Sequence, residues 1–211
     1  MADHPIYAAV YDRVNRPVEQ AGLARRRERL LAGATGRVLE VGGGTGANLP
    51  YYRDVESVDV LEPDGAMRRR LSERLAALAP PVPVEVHATD LDGARFGDRS
   101  FDAIVCTLVL CSVPDLAASF RILRRLLRPD GRLLFLEHVR AQGARAGLQR
   151  LATPLWSRVV PGCHLDRDPL AVMRLEGFVV TDCERFTMPL GNALIGAAVQ
   201  GAARVVEGRA A

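Results

Sequence analysis

Residues 38–50 read VLEVGGGTGANLP, and the fold turns on what this stretch does. A short apolar run, Val38 to Val41, passes directly into four glycines within five positions: Gly42, Gly43, Gly44 and Gly46. Glycine inside regular structure costs about 0.5–1 kcal/mol relative to alanine, and it is accepted where the chain needs a positive φ or something must approach the backbone. The stretch therefore reads as a strand handing over to a glycine loop. A helix is expected to start within residues 47–52, and its free amides would suit an anionic group. The spacing is GxGxG, which departs from the GxGxxG of the dinucleotide fingerprint. It suits a ligand carrying a carboxylate and a nucleoside in place of a pyrophosphate. A purely structural turn is the alternative.

Strand-like and helix-like segments alternate on both sides of the loop. Residues 17–32 read as a helix with an arginine-rich face. Strands are expected at 37–41, 57–61, 84–88, 101–107 and 132–136. The fourth is almost entirely apolar, as befits a strand covered on both faces. Asp64 is placed to cap a helix over 65–79, which Pro80, Pro81 and Pro83 end. A helix over 115–127 stops at the turn Arg128-Pro129-Asp130-Gly131. Residues 140–160 have a helical pattern that Pro154 should break, and Gly177 closes a short helix over 168–175. Two apolar runs, 178–186 and 193–200, follow. This alternation predicts an α/β fold, a parallel sheet with helices on both faces. In such sheets a ligand lies beyond the carboxyl ends of the strands, where the strand order reverses.

Bulk properties narrow the class. The 211 residues suit one domain, and 48% of them are hydrophobic, enough for a proper core. No apolar run approaches the roughly 18–20 residues of a membrane span. The first residues, MADHPIYAAVYDRV, lack a signal-peptide pattern, so a cytoplasmic location is expected. Cys106, Cys111, Cys163 and Cys183 form no CxxC pair, so no metal is expected. The 28 basic residues are all arginine and the net charge is +3. The runs Arg25–Arg27 and Arg68–Arg70 read as solvated helix faces. No nucleic-acid partner is expected.

Two carboxylates join the glycines. Glu62 ends the second strand about twenty residues on, where an acid can hold both hydroxyls of a ribose. Asp90 follows the third strand and could accept from an adenine amine. Each has a plainer reading, a solvated strand-end carboxylate for Glu62 and a turn residue for Asp90.

With these pieces the sequence resembles the class I S-adenosylmethionine-dependent methyltransferases. The matching segments are VLEVGGGTG (38–46), LEPDGAM (61–67), TDLDGARFGDRSFD (89–102) and LRRLLRPDGRLLFLEH (123–138). The resemblance implies a Rossmann-like, seven-stranded, mostly parallel sheet whose last strand is antiparallel. It implies a single domain over residues 1–211, with 1–33 as a helical lid. S-adenosylmethionine is the implied cofactor and S-adenosylhomocysteine the product. Gly42, Gly43, Gly44 and Gly46 would cradle the methionine part and Glu62 would hold the ribose. Met67 would pack near the adenine, and Asp90 with the Leu91 amide would read its edge. Tyr11, Glu40, Asn48, Pro63 and Thr107 complete the implied cofactor set.

VCTLVLCSV (105–113) and PGCHLDRDP (161–169), with GTGANLPYY (44–52) and FLEHV (135–139), look like the thiol S-methyltransferase-like subfamily. The implied acceptor is a small molecule, with a thiol as the first specific choice. O-, N- or C-methylation of a metabolite, quinone or phospholipid head group is the alternative. Contact of residues 17–32 with a membrane surface is weighed and not favoured. His138, just past the fifth strand, has the near-neutral pKa of a general base, or it orders a loop. His164, among Cys163, Asp166 and Asp168, could close over the acceptor, or belong to a structural turn with Arg167 paired to an aspartate. Tyr7 and Tyr11, four apart, would share one helical face over the cofactor.

Overall fold

The computed structural model of the protein describes residues 3–192 and 194–206. Helix α1 (Pro5–Val18) runs through a π-turn (Glu19–Leu23) into α2 (Ala24–Leu31). Then come β1 (Gly36–Val41), β2 (Val55–Leu61), α3 (Gly65–Leu78), β3 (Val84–His87), β4 (Phe101–Thr107) and α4 (Leu116–Leu126). The chain continues with β5 (Leu127–His138), α5 (Ala144–Val159), α6 (Pro169–Leu175), β6 (Phe178–Thr187) and β7 (Ala197–Val205). The seven strands lie in the order β3-β2-β1-β4-β5-β7-β6. β1 pairs in parallel with both β2 and β4, while β7 is antiparallel to both β5 and β6. The sheet is thus mostly parallel with an antiparallel last strand, as expected.

Side chains alternate across the strands, and each face buries its own core. Leu39, Val41, Ile104, Cys106, Leu133 and Phe135 pack against Phe120, Leu123 and Leu126 of α4 and Met173 of α6. Val38, Val58, Val60, Val105, Leu134 and Leu136 pack against Leu23, against Leu30 and Leu31 of α2, and against Leu71 of α3. The strand order reverses between β1 and β4. The glycine loop leaves β1 at that point, so the reversal and the loop share one place.

Five details differ from the expectation. The helix expected over 17–32 is part of a longer, kinked run. It begins at Pro5 and bends at Gly22, whose φ of 135° lies outside helical space. Its apolar side, Leu23, Leu30 and Leu31, is buried in the core, which leaves that side no face for a membrane. The helix expected within 47–52 is a single 3₁₀ turn, Leu49–Tyr51, because Leu49 and Tyr52 both turn into the core. Pro154 does not break α5, nor Pro17 α1. Both prolines, and the residues four before them (Arg150 and Arg13), are exposed, so water can serve the carbonyl that loses its partner. The turn at 128–131 is absorbed into β5 as an irregularity, with Phe101 opposite Leu127 and Ala103 opposite Arg132. The last apolar run forms β7 four residues late. Met188 N–H closes a loop onto Gly196 O (2.8 Å), and Asn192 Oδ1 accepts from the Leu194 and Ile195 amides. Ala193, where that run was expected to start, lies outside the described residues.

Phe120 is fully buried and meets Phe178 edge-on, ring centroids 5.7 Å apart. Phe120→Ala should lower stability by about 3–5 kcal/mol, read from the urea-denaturation midpoint at unchanged slope.

Candidate active site

The four glycines answer to different neighbours. A Cβ on Gly43 would run into Val60 and Leu71, one on Gly42 into Val109, and one on Gly46 would stand 2.8 Å from Leu49. Only at Gly44, with φ +56°, would a Cβ meet nothing within 4 Å. Three glycines thus let the loop pack down onto the protein, and the fourth leaves main chain bare toward open space. No α-helix N-terminus follows, only the 3₁₀ turn, and the amides of the four glycines are engaged within the protein. Gly42 and Gly43 already donate to Leu61 O (2.9 and 3.0 Å).

Glu62 points at this tip. Its Oε2 accepts from Gly44 N–H (2.7 Å) and its Oε1 from Asp64 N–H (2.8 Å). Each carboxylate oxygen keeps a second acceptor direction, so a vicinal diol could still be bound. Burial raises the Glu62 pKa above the ordinary carboxylate value. Pro63 follows half-buried, and Met67 is buried at the start of α3. Asp90 is exposed and its Oδ1 accepts from Gly93 N–H (2.9 Å), closing a turn, while Leu91 sits in the core.

Behind the loop lies a buried polar network. Asn48 Nδ2 donates to Glu40 Oε1 and to Thr107 Oγ1 (2.9 Å each), and Tyr52 Oη donates to Glu40 Oε2 (2.8 Å). Arg27 Nη1 donates to Asn48 Oδ1 (2.9 Å), and its Nε to Glu19 Oε1 (3.0 Å). Burial lifts the Glu40 pKa to about 7. Glu40, Asn48 and Thr107 are therefore brought together as a brace under the loop. Arg27, Glu19 and Tyr52 are members that the sequence reading missed. Arg27 is only 4% exposed, which corrects its reading as part of a solvated face. The signal was present: Leu23, Arg27, Leu30 and Leu31 fall on one helical stripe.

α1 lies across the loop. Thr45 Oγ1 donates to Asp12 Oδ1 (2.6 Å), Arg74 Nη2 reaches Asp12 Oδ2 (3.0 Å), and His4 Nδ1 lies 2.7 Å from Asp64 Oδ2. Tyr7 and Tyr11 share one face, centroids 5.4 Å apart, and pack over Ala66 and Met67.

At the ends of β4 and β5, Glu137 Oε1 accepts from the Val109 and Leu110 amides (3.1 Å each). Cys111 Sγ lies 3.6 Å from Cys163 Sγ, and His164 N–H donates to Cys111 O (2.9 Å). These cysteines pack with Leu165, Trp156, Leu194 and Ile195. His138 ends β5 with its ring against the Ile195 backbone, and burial draws its pKa down to about 4. His164 is half-buried. Arg167 does not pair with an aspartate as that reading expected. Its guanidinium donates to Leu110 O (3.1 Å) and Val113 O (2.5 Å), since the loop after β4 offers free carbonyls. Asp168 caps α6 through Ala171 N–H (3.1 Å). Among the described residues, metal-ligand spacing occurs at Asp59, Glu85 and His87. There Asp59 is already held by Arg37 (3.0 Å) and His87 (2.7 Å).

A methyltransferase-domain family model matches residues 15–173. The chain belongs to that family. The human thiol S-methyltransferase TMT1B is 35% identical over 179 residues, 82% of this chain and 73% of that protein. The human thiol S-methyltransferase TMT1A is 32% identical, over 78% and 69% respectively. Geranyl diphosphate methyltransferase solved with S-adenosylmethionine superposes with a TM-score of 0.70 at 17% identity, covering 87% of this chain and 85% of that one. At that identity the structural match speaks for the fold alone. The protein is an S-adenosylmethionine-dependent methyltransferase with a Rossmann-like fold. Bare main chain at Gly44 and a diol-competent Glu62 fit that cofactor.

Arg27→Met should cost about 1–3 kcal/mol, because it leaves the buried Asn48 carbonyl without its donor and the partly exposed Glu19 without its partner. Denaturant unfolding reads the loss, and calorimetry should show weaker S-adenosylmethionine binding as the brace slackens.

Proposed function

We propose that this methyltransferase acts on a small molecule, with a thiol as the acceptor of first choice. The observation that carries the cofactor half is Glu62 gripping Gly44 at the tip of β1. The acceptor half draws support from the similarity to the TMT1 thiol S-methyltransferases and from the apolar, sulfur-bearing cluster at the ends of β4 and β5.

In this reading residues 1–33 act as a lid, latched by Asp12 to the glycine loop, with Tyr7 and Tyr11 as its inner face. Glu62 holds the ribose, with Pro63 and Met67 beside the nucleoside and Asp90 and the Leu91 amide at the adenine edge. Gly44 offers its main chain to the methionine part, and Tyr11 covers it. Glu40, Asn48 and Thr107 act from behind by keeping the loop in shape. S-adenosylmethionine supplies an electrophilic methyl group when bound. The protein's work is alignment, and holding two reactants in line is worth about 7–11 kcal/mol. A dry compartment further favours an attack in which charge disappears. His138 and His164 border the acceptor end. Burial keeps His138 uncharged at neutral pH, which suits a polar contact to a neutral acceptor. The described residues contain no helix long and apolar enough to cross a membrane, and a peripheral membrane contact is not favoured.

Purified protein with labelled S-adenosylmethionine and a panel of alkyl thiols, phenols and amines should give methylated thiol between pH 6 and 9. Cofactor binding with no methylated thiol at any pH would remove the thiol assignment. Gly44→Val should cost about 1–2 kcal/mol in stability from its left-handed backbone, yet lower cofactor affinity at least about tenfold by filling the open space. Calorimetry checks it.

A further inference from the structure

Three side-chain polar atoms among the described residues are buried without a hydrogen-bond partner: Glu137 Oε2, His138 Nδ1 and Trp156 Nε1. Such atoms are rare in folded proteins, because each forfeits about 1–3 kcal/mol of solvation. Glu137 and Trp156 meet at the Cys163 sulfur, while His138, the next residue of β5, projects from the opposite face of the sheet. Trp156 packs with Cys111, Cys163, Leu165, Leu194 and Ile195. His138 meets the Ile195 backbone. Glu137 binds the loop at Val109 and Leu110 and lies within electrostatic reach of Cys163. That loop in turn touches the cofactor loop, since Val109 occupies the space a Cβ on Gly42 would need.

We propose that this cluster receives the methyl acceptor, a small and largely apolar molecule with a weakly acidic thiol or phenolic hydroxyl, and that Glu137 Oε2 takes its proton. The proposal rests on the small-molecule reading above. Glu137 is 0% exposed, and two main-chain amides pin its Oε1, so Oε2 is the oxygen left to act. The acceptor's X–H proton passes to Oε2 as the X–C bond forms and the methyl's bond to sulfur breaks. The acceptor leaves methylated and neutral, and the carboxyl later returns its proton to water.

The surroundings suit the task. Burial raises the Glu137 pKa to about 8, which makes its carboxylate a stronger base toward a weakly acidic thiol or phenol than an ordinary one with a pKa of about 4.3. The groups facing it are Cys106 from β4 and Cys111 and Cys163 from the two loops. His138, with its pKa drawn down to about 4, is the weaker base of the two neighbours.

The test compares wild type with Glu137→Gln, which still offers an oxygen to the two amides. Turnover of hexanethiol and of phenol is followed from pH 6 to 10, with cofactor affinity measured by calorimetry. Wild-type kcat/KM should rise with pH and level above about 9, where the carboxylate is almost fully formed. Glu137→Gln should be at least about 100-fold slower near neutral pH, and should recover only as the thiol itself ionises, with cofactor affinity kept. Infrared difference spectra on adding hexanethiol, with S-adenosylhomocysteine bound, should shift a protonated-carboxyl band that the variant lacks. Coincident pH profiles, or a carboxyl band indifferent to the probe, would overturn the role of Glu137 while leaving the methyltransferase reading intact. Turnover of neither probe by wild type that binds the cofactor would overturn the acceptor class and this assignment with it. Should Glu137→Gln not fold, Trp156→Phe removes a second orphan at the same place. It should raise KM at least about fivefold with kcat kept, and an unchanged KM would count against the site.

Discussion

The hydrogen bond from Gly44 N–H to the Glu62 carboxylate joins the ends of β1 and β2, and the carboxyl edge of the sheet is organised around it. The bond requires the loop to leave β1 at a steep angle and lie down against β2. Side chains would prevent that, since a Cβ on Gly43 meets Val60 and Leu71. The glycines serve packing first, and the bare main chain at Gly44 is what remains once the packing is satisfied. A close approach to backbone and an acid placed beside it are then one arrangement.

A loop with so little side-chain mass needs support from below. Burial of an arginine and a glutamate is expensive unless each is fully engaged. Here Asn48 stands between Arg27 and Glu40, and Tyr52 and Thr107 complete the set. The brace reaches into α2, so the helical run over the glycine loop is tied to it both above, through Asp12, and below, through Arg27. The placement of the N-terminal helices and the shape of the glycine loop are therefore mechanically linked.

Much of the fold was legible because strands buried on both faces are continuously apolar, as in Phe101–Thr107, and because caps such as Asp64 act locally. The misreadings have a common origin. Pro17 looks like a helix start and Pro154 like a breaker in one dimension, yet each lies inside a helix facing water, where a lost hydrogen bond is replaced. Arg27 looks like surface in a run of arginines, yet the stripe it shares with Leu23, Leu30 and Leu31 points inward. Glu62 stands at the tip of β1, held by Gly44 N–H, and Asp90 stands exposed on the turn after β3, held by Gly93 N–H.

The order of strands and helices, the glycine loop and the acid beyond it follow from local chemistry: periodicity, capping and the cost of a Cβ are properties of neighbours in the chain. The far end of β5 could not be read that way. Glu137 lies between Leu136 and His138, just past the apolar run 133–136 of β5, and nothing beside it in the chain says that one of its oxygens would be satisfied and the other left bare. That outcome depends on Val109 and Leu110, 28 and 27 residues away. Trp156 and Cys163 join the same place from α5 and the loop beyond it. Burial and hydrogen-bond completion are set by groups distant in sequence, and they exist only once the chain has closed around them.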